Sequence, residues 1–330
     1  MTMNAIRVNA YGGADELKYE SGVPTPAPGP GEALVRTEIA GINFIDVYVR
    51  GGVYQRSETY KNTPPFVPGM EGGGVVEAVG DGVDNVKPGD RVAYCLVLGS
   101  YAEFATVPAW RLVKIPDDVN MGDAVTLMLQ GMTAHYLSHS LFELGPGKTA
   151  LVHAGAGGVG QLLTQIARLR GARVLTTVST PEKAEISKGH GGEPIFYRDE
   201  DFAERALEMT NGAGVDVVYD GIGQATIAGS MKACRRRGTV ALFGGASGAV
   251  KSIDPLDLAE AGSIFLTRPH LWDYTFDAEE IAWRGKDLFG WVATGKLKVN
   301  IDRHFPLSDA RAAHEYLEAG KTRGKLLLDV

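Results

Sequence analysis

The chain reads as an α/β protein in which a doubly wound parallel sheet is joined to a β-rich domain. Three observations predict this. From about residue 150 to 243, short apolar runs alternate with helical stretches at the spacing of strand–helix–strand units. Residues 1 to about 125 carry several short strands separated by glycine and proline turns instead. A length of 330 residues also exceeds what one hydrophobic core ordinarily serves.

In the β-rich part, residues 33–40 alternate partly between apolar and polar and are bounded by Pro28-Gly29-Pro30-Gly31 and Gly41. Residues 73–79, 91–96 and 101–107 read as further strands. The rhythm changes after Pro116. Residues 121–141 are helix-rich, with Asp117 or Asn120 as the N-cap. The run 150–154 is a buried strand that breaks at Gly155-Ala156-Gly157-Gly158-Val159-Gly160. Val159, Leu162, Leu163, Ile166 and Ala167 then recur at helical spacing. Strands follow at 172–178, 193–197, 215–220 and 238–243, with helices at 181–188, 201–210 and 227–235 between them. Residues 272–294 hold at least one more helix. The tail carries a helix at 308–319 and an apolar strand at 326–330, expected to return to the first domain.

Composition narrows the function classes. The chain is 44% hydrophobic and 22% charged, and no apolar run approaches the roughly 20 residues of a membrane span. The first residues lack an apolar signal-peptide core, so a cytoplasmic protein is expected. A net charge of −7 gives no electrostatic reason to bind nucleic acid or an anionic membrane. Cys95 and Cys234 are the only cysteines, too few for a disulfide framework or a multi-cysteine zinc site.

The glycine segment carries the chemistry. Gly155, Gly157 and Gly160 fit G-x-G-x-x-G between a strand and a helix, the arrangement that aims helix N-terminal N–H groups at a pyrophosphate. Gly158 and Val159 complete the turn. A dinucleotide is therefore expected. At the end of the next strand an NAD site usually places an acid against the ribose 2′-hydroxyl. Here the strand ends Val178-Ser179-Thr180, with Lys183 one turn later and Tyr197 and Arg198 closing the following strand. A 2′-phosphate needs cations and hydroxyl donors, so the cofactor is predicted to be NADPH, held by Ser179, Thr180, Lys183 and Tyr197 or Arg198. Two competing motifs fail. Gly147-Lys148-Thr149 ends like a phosphate-binding loop, but Phe142 stands at the leading glycine position and a strand follows. His135 and His139 lie one turn apart, but Tyr136 stands where a zinc protease needs Glu, so both read as surface or packing residues.

Four segments in order carry a family resemblance: Gly41 to Tyr48, Pro68 to Gly74, Val86 to Val92, and Ala154 to Gly160. With Phe265 to Pro269 and Gly320 to Lys325, they make the chain resemble the zinc-independent, zeta-crystallin-like quinone oxidoreductases of the medium-chain dehydrogenase/reductase superfamily. The resemblance implies a GroES-like catalytic domain (1–123 with 297–330) and a Rossmann domain (124–296), with the active site in the cleft between them. It also implies that Asn43, Met70 and Leu129 stand where zinc-dependent relatives keep metal ligands, and Ile45 where they keep a proton relay. No metal is expected. Without a Lewis acid, an unactivated ketone is a poor acceptor, whereas a quinone already delocalises added electrons. By carry-over, Asn43, Tyr48 and Thr133 lie near the nicotinamide. Backbone at Gly223, Phe243, Gly244 and Leu266 holds the cofactor, and Arg323 and Lys325 contact it. Tyr54 matches the proton-donating tyrosine of related enoyl thioester reductases. The expected activity is reduction of a small quinone or similar acceptor, with enone or enoyl reduction or non-catalytic NADPH binding as alternatives. A homodimer through the Rossmann domain, edge to edge at 238–243, is expected as well.

Overall fold

The computed structural model describes all residues, Met1–Val330. The chain opens with an antiparallel ribbon, β1 (Thr2–Val8) on β2 (Leu17–Pro24). The long strand β3 (Glu32–Ile42) follows, then a short helix α1 (Phe44–Arg50). Five of the seven α1 residues are β-branched or aromatic, poor helix formers by propensity. The helix forms because Asn43 and Asp46 make a reciprocal capping box, with Asp46 Oδ2 accepting from Asn43 N at 2.8 Å. Strands β4 (Glu71–Val79), β5 (Arg91–Cys95), β6 (Phe104–Pro108) and β7 (Val113–Lys114) complete this stretch.

Asn120, not Asp117, caps the next helix, α2 (Met121–Thr126), accepting from Asp123 N at 2.8 Å. The helical run continues through π-wound Leu127–Gly131, α3 (Met132–Tyr136) and π-wound Leu137–Leu141.

The alternating part is as regular as its sequence. It runs β8 (Thr149–Val152), α4 (Gly158–Leu169), β9 (Arg173–Val178), α5 (Pro181–Gly189), β10 (Glu193–Phe196), α6 (Phe202–Met209) and β11 (Val215–Asp220). It continues α7 (Ile227–Ala233), β12 (Cys234–Leu242), α8 (Pro255–Glu260) and β13 (Phe265–Thr267). All six strands are parallel, in the order β10-β9-β8-β11-β12-β13. That is the Rossmann order, reversing direction between β8 and β11. Leu151, Leu175, Ile195, Val218 and Val240 fill its core. Strand β12 pairs on both sides, so the expected dimer edge at 238–243 is corrected: the free edge on that side is β13.

The chain closes with α9 (Ala278–Ala293), β14 (Ile301–Pro306), α10 (Ala310–Glu318) and β15 (Lys325–Asp329). As expected, the tail rejoins the first β structure: β15 pairs antiparallel with β3 and parallel with β14. The resulting seven-stranded sheet runs β14-β15-β3-β4-β5-β7, with β6 also on β3. Two compact units result, Met1–Met132 with Thr275–Val330, and Thr133–Tyr274. Helix α9 thus belongs with the first unit, not with the alternating one as a boundary at 297 implied. The reason is packing: α9 sets Leu288 against Gly131 and Gly285 against Val113, all within the first unit.

Candidate active site

In the alternating unit, the glycine turn is held tightly. A Cβ on Gly160 would sit 2.2 Å from Ala154 O, and one on Gly155 would sit 2.5 Å from Thr176 Cβ. Only glycine allows the backbone to pass so close to itself and to β9. Helices α5, α6 and α9 are each N-capped by a side chain, from Thr180, Asp201 and Asp277. Helix α4 has Gly157 at its N-cap and no side-chain cap. Its first N–H groups are therefore left for an external acceptor, and a pyrophosphate suits them.

What fixes the turn is a buried polar network invisible to the motif. His153 Nε2 lies 3.0 Å from Ser230 Oγ, and His153 Nδ1 lies 3.0 Å from Thr177 Oγ1. Ser230 Oγ donates to Asp220 Oδ2 at 2.7 Å, so its contact with His153 must be a bond that His153 Nε2–H donates. Nδ1 then accepts from Thr177. Burial pushes His153 below its ordinary range, in keeping with a neutral ring. Asp220 Oδ1 accepts from Ile222 N and Gly223 N, both at 2.9 Å, which fixes the loop at the expected residue Gly223. Phe243 N and Gly244 N donate to Asp220 O, and Leu266 pairs with Val240. These residues all lie on the unit that carries the turn.

The end of β9 has no acid. Ser179 and Thr180 are half-buried, and Thr180 Oγ1 accepts from Lys183 N at 3.3 Å as the α5 cap. Lys183 stands in the first turn of α5, while Tyr197 and Arg198 are exposed just past β10. Thr133 is buried in α3. His135 and His139 stack with ring centroids 4.1 Å apart, packing residues as read.

In the other unit, Asn43 anchors a cluster whose partners the sequence did not suggest. Its Oδ1 accepts from Lys325 Nζ at 2.8 Å and from Gln130 Nε2 at 3.3 Å. Its Nδ2 donates to Glu71 Oε2 at 2.8 Å. Glu71 Oε2 is also ion-paired with Lys325 Nζ, and Glu71 Oε1 accepts from Leu129 N at 2.6 Å. Both charged side chains are fully buried. Lys325, expected to contact the cofactor, has its charge paired inside the protein with Glu71. Gln130 Oε1 is buried with no hydrogen-bond partner, an acceptor left over beside Asn43. Tyr48 and Tyr54 are half-buried and meet edge to face, centroids 6.1 Å apart, and Tyr54 continues to Tyr60 at 5.1 Å. Arg323 is exposed, its backbone N donating to Asp302 at 3.0 Å.

Below Asn43 runs a second chain of bonds. Asp46 accepts from Asn43 N, from Met70 N at 3.0 Å and from Tyr101 OH at 3.2 Å. Tyr101 OH lies 3.1 Å from His314 Nε2, whose Nδ1 is 3.0 Å from Arg50 Nη1. Arginine can only donate, so His314 carries its proton on Nε2 and donates it to Tyr101, which donates in turn to Asp46. Arg50 finally pairs with Glu318 at 2.9 Å. Burial raises Asp46 to about 7 and lowers His314 to about 3.

The alcohol dehydrogenase GroES-like domain family matches residues 29–117, and the zinc-binding dehydrogenase family matches residues 191–328. A 2-haloacrylate reductase from a Burkholderia species is 42% identical over 99% of both chains. A quinone oxidoreductase of Pseudomonas aeruginosa is 40% identical over 98% of both. The chain belongs to the quinone oxidoreductase family of the medium-chain dehydrogenases/reductases. The solved structure of Escherichia coli quinone oxidoreductase complexed with NADPH superposes with a TM-score of 0.94 at 37% identity, covering 99% of this chain and 100% of that one. Zinc appears in the name of one matching family, yet the positions that the resemblance assigns to zinc ligands hold an amide, a thioether and an alkyl chain here: Asn43, Met70 and Leu129. None of these is the thiolate, imidazole or carboxylate that zinc sites use.

Proposed function

We propose that this chain is an NADPH-dependent quinone oxidoreductase that works without zinc. The observation that carries the cofactor half is the acid-free end of β9, where Ser179 and Thr180 lead into α5 and Lys183. The uncapped α4 supports pyrophosphate binding at the glycine turn, and the orphaned acceptor at Gln130 supports a ligand beside Asn43. The acceptor half rests on the full-length likeness to quinone oxidoreductases.

The residues present fit NADPH, which when bound supplies a hydride from its nicotinamide. The N–H groups of Gly158, Val159 and Gly160 hold the pyrophosphate. Lys183, with Ser179, Thr180, Tyr197 and Arg198, holds the 2′-phosphate. Backbone at Gly223, Phe243, Gly244 and Leu266 and the exposed Arg323 complete the cofactor site, and Thr133 lies near the nicotinamide. Asn43 and Tyr48 donate hydrogen bonds toward the acceptor oxygen, where negative charge develops. The faces of Tyr48 and Tyr54 suit a planar ring. A quinone that gains two electrons as hydride takes its second proton from a phenol or from water to become a hydroquinone.

The likeness to a 2-haloacrylate reductase favours one further acceptor class, an electron-poor C=C bond. Steady-state oxidation of NADPH and NADH with a panel of quinones, enones, enoyl thioesters and 2-haloacrylates tests both readings. We expect turnover with quinones and a strong preference for NADPH, reduced in Lys183→Ala. Equal affinity for both nucleotides, or unchanged NADPH affinity in Lys183→Ala, would overturn the cofactor assignment. Full activity in both Asn43→Ala and Tyr48→Phe would overturn the acceptor site. We also propose a homodimer through the free β13 edge, where Phe265 is 64% exposed. A cytoplasmic location fits the two free, buried thiols. No helix is long and apolar enough to cross a membrane.

A further inference from the structure

We infer that the buried Glu71–Lys325 ion pair is a positioning device, which orients the amide of Asn43 for catalysis. The inference rests on the proposed function above. An asparagine amide can usually turn over, exchanging its oxygen and nitrogen. Here it cannot. Oδ1 faces the Lys325 ammonium and Nδ2 faces the Glu71 carboxylate, each at 2.8 Å. Turning the amide would set NH₂ against NH₃⁺ and C=O against a carboxylate, both in a fully buried site where opposed charges are weakly screened.

Three further contacts make the pair a fixture. Glu71 Oε1 is tied to Leu129 N at 2.6 Å. Asn43 is tied through its backbone N to Asp46, so both its main chain and its side chain are held. Gly41 lies against the pair: a Cβ there would fall 2.0 Å from Glu71 Oε2 and 3.0 Å from Lys325 Cε. The strand carries glycine at that point because the ion pair occupies the space a side chain would need.

The orientation also passes outward. With Asn43 Oδ1 fixed, Gln130 turns its Nε2 toward it and keeps Oε1 buried and unpartnered. On Asn43 itself, one Nδ2–H is taken by Glu71, while the other has only Gly41 O at 3.5 Å. The pair therefore leaves one amide donor and one adjoining acceptor for cofactor and acceptor molecules. Lys325 acts through Asn43 and touches neither ligand.

The test compares wild type, Asn43→Ala, Lys325→Met, the charge-balanced double variant Glu71→Gln/Lys325→Met, and that double variant carrying Asn43→Ala. Because Lys325→Met alone strands a buried carboxylate and can fail to fold, the double variant is the decisive protein. Its folding is checked by thermal melting. A displaced catalytic group costs up to about 10²-fold in rate, so kcat with a quinone is expected to fall by about 10- to 100-fold. NADPH affinity, read by nucleotide fluorescence, should stay within about twofold, well under the factor of ten that 1.4 kcal/mol of lost binding would give. Adding Asn43→Ala should cost little more, since the amide is already misdirected. Weakened NADPH binding with unchanged kcat would make Lys325 a cofactor contact and overturn the inference. Full activity, or a fully additive loss with Asn43→Ala, would overturn it too. A readout independent of turnover separates this from failure of the proposed function. The isotope-labelled side-chain amide signal of Asn43, identified by its absence in Asn43→Ala, should shift and broaden in the double variant. An unchanged signal overturns the positioning role, whereas a wild type inactive with every acceptor overturns the proposed function.

Discussion

Asp46 and His314 are both buried and shifted from their ordinary titration, and they act on stability in opposite directions. Asp46 is raised to about 7 in the fold against 3.8 when unfolded, because burial, with nearby Glu71, penalises its charge more than the Asn43 and Met70 N–H donors and nearby Lys325 favour it. Between those values the folded state binds the extra proton, so this group makes stability fall as pH rises from about 4 to about 7. His314 titrates near 3 against 6.5 unfolded, through burial and then the Arg50 charge. Here the unfolded state binds the extra proton, so stability rises with pH from about 3 to about 6.5. Each slope is at most about 1.4 kcal/mol per pH unit, and they oppose each other over the shared window. Denaturant unfolding at several pH values should therefore show contrasting variants. Stability of His314→Gln should fall toward neutral pH, and that of Asp46→Asn should rise. The same slope in both would refute this reading of the pair.

At the scale of elements, α4 and α9 make the clearest predictions. A Cβ on Gly160 would drive into Ala154 O, so Gly160→Ala should weaken NADPH binding by about tenfold or more, about 1.4 kcal/mol, in a fluorescence titration. Undiminished affinity would mean that the turn does not hold the pyrophosphate. In α9, Leu288 is fully buried, and Leu288→Ala should cost about 2–5 kcal/mol in chemical denaturation. A loss under about 1 kcal/mol would show that the helix is poorly packed. Elements also show what the sequence reveals. The β–α alternation and the glycine turn were legible because each is set by residues next to one another in the chain. Helix α1 was not, since Phe44-Ile45-Asp46-Val47-Tyr48-Val49-Arg50 reads by propensity as strand, and only the Asn43–Asp46 cap spacing signals a helix start. The unit that α9 packs with was not legible for a related reason. An amphipathic helix says that it has a buried face, but not which unit covers it.

For the whole molecule, the candidate site is legible where it follows a motif and hidden where it depends on tertiary assembly. Lys325 and Asn43 are 282 positions apart, and Glu71 and Lys325 are 254 apart. Nothing local links them. One signal was available: Glu71 and Lys325 are opposite charges set at the starts of glycine-rich and apolar strands, where an unpaired charge would be costly. The His153–Ser230–Asp220 network was hidden in the same way. The parallel sheet also leaves β13 as a free edge carrying exposed Phe265. Phe265→Asp should convert the proposed dimer to a monomer in sedimentation experiments, and an unchanged mass would place any interface elsewhere. In the proposed reaction the chain moves a hydride from NADPH to a quinone. The most direct measurement is the rate of nucleotide oxidation with a quinone acceptor, taken with NADPH and NADH in parallel, for wild type and Lys183→Ala. Wild type should oxidise nucleotide in a quinone-dependent way with NADPH strongly preferred, and the variant should lose that preference. No quinone-dependent oxidation, or equal rates with the two nucleotides in wild type, would contradict it.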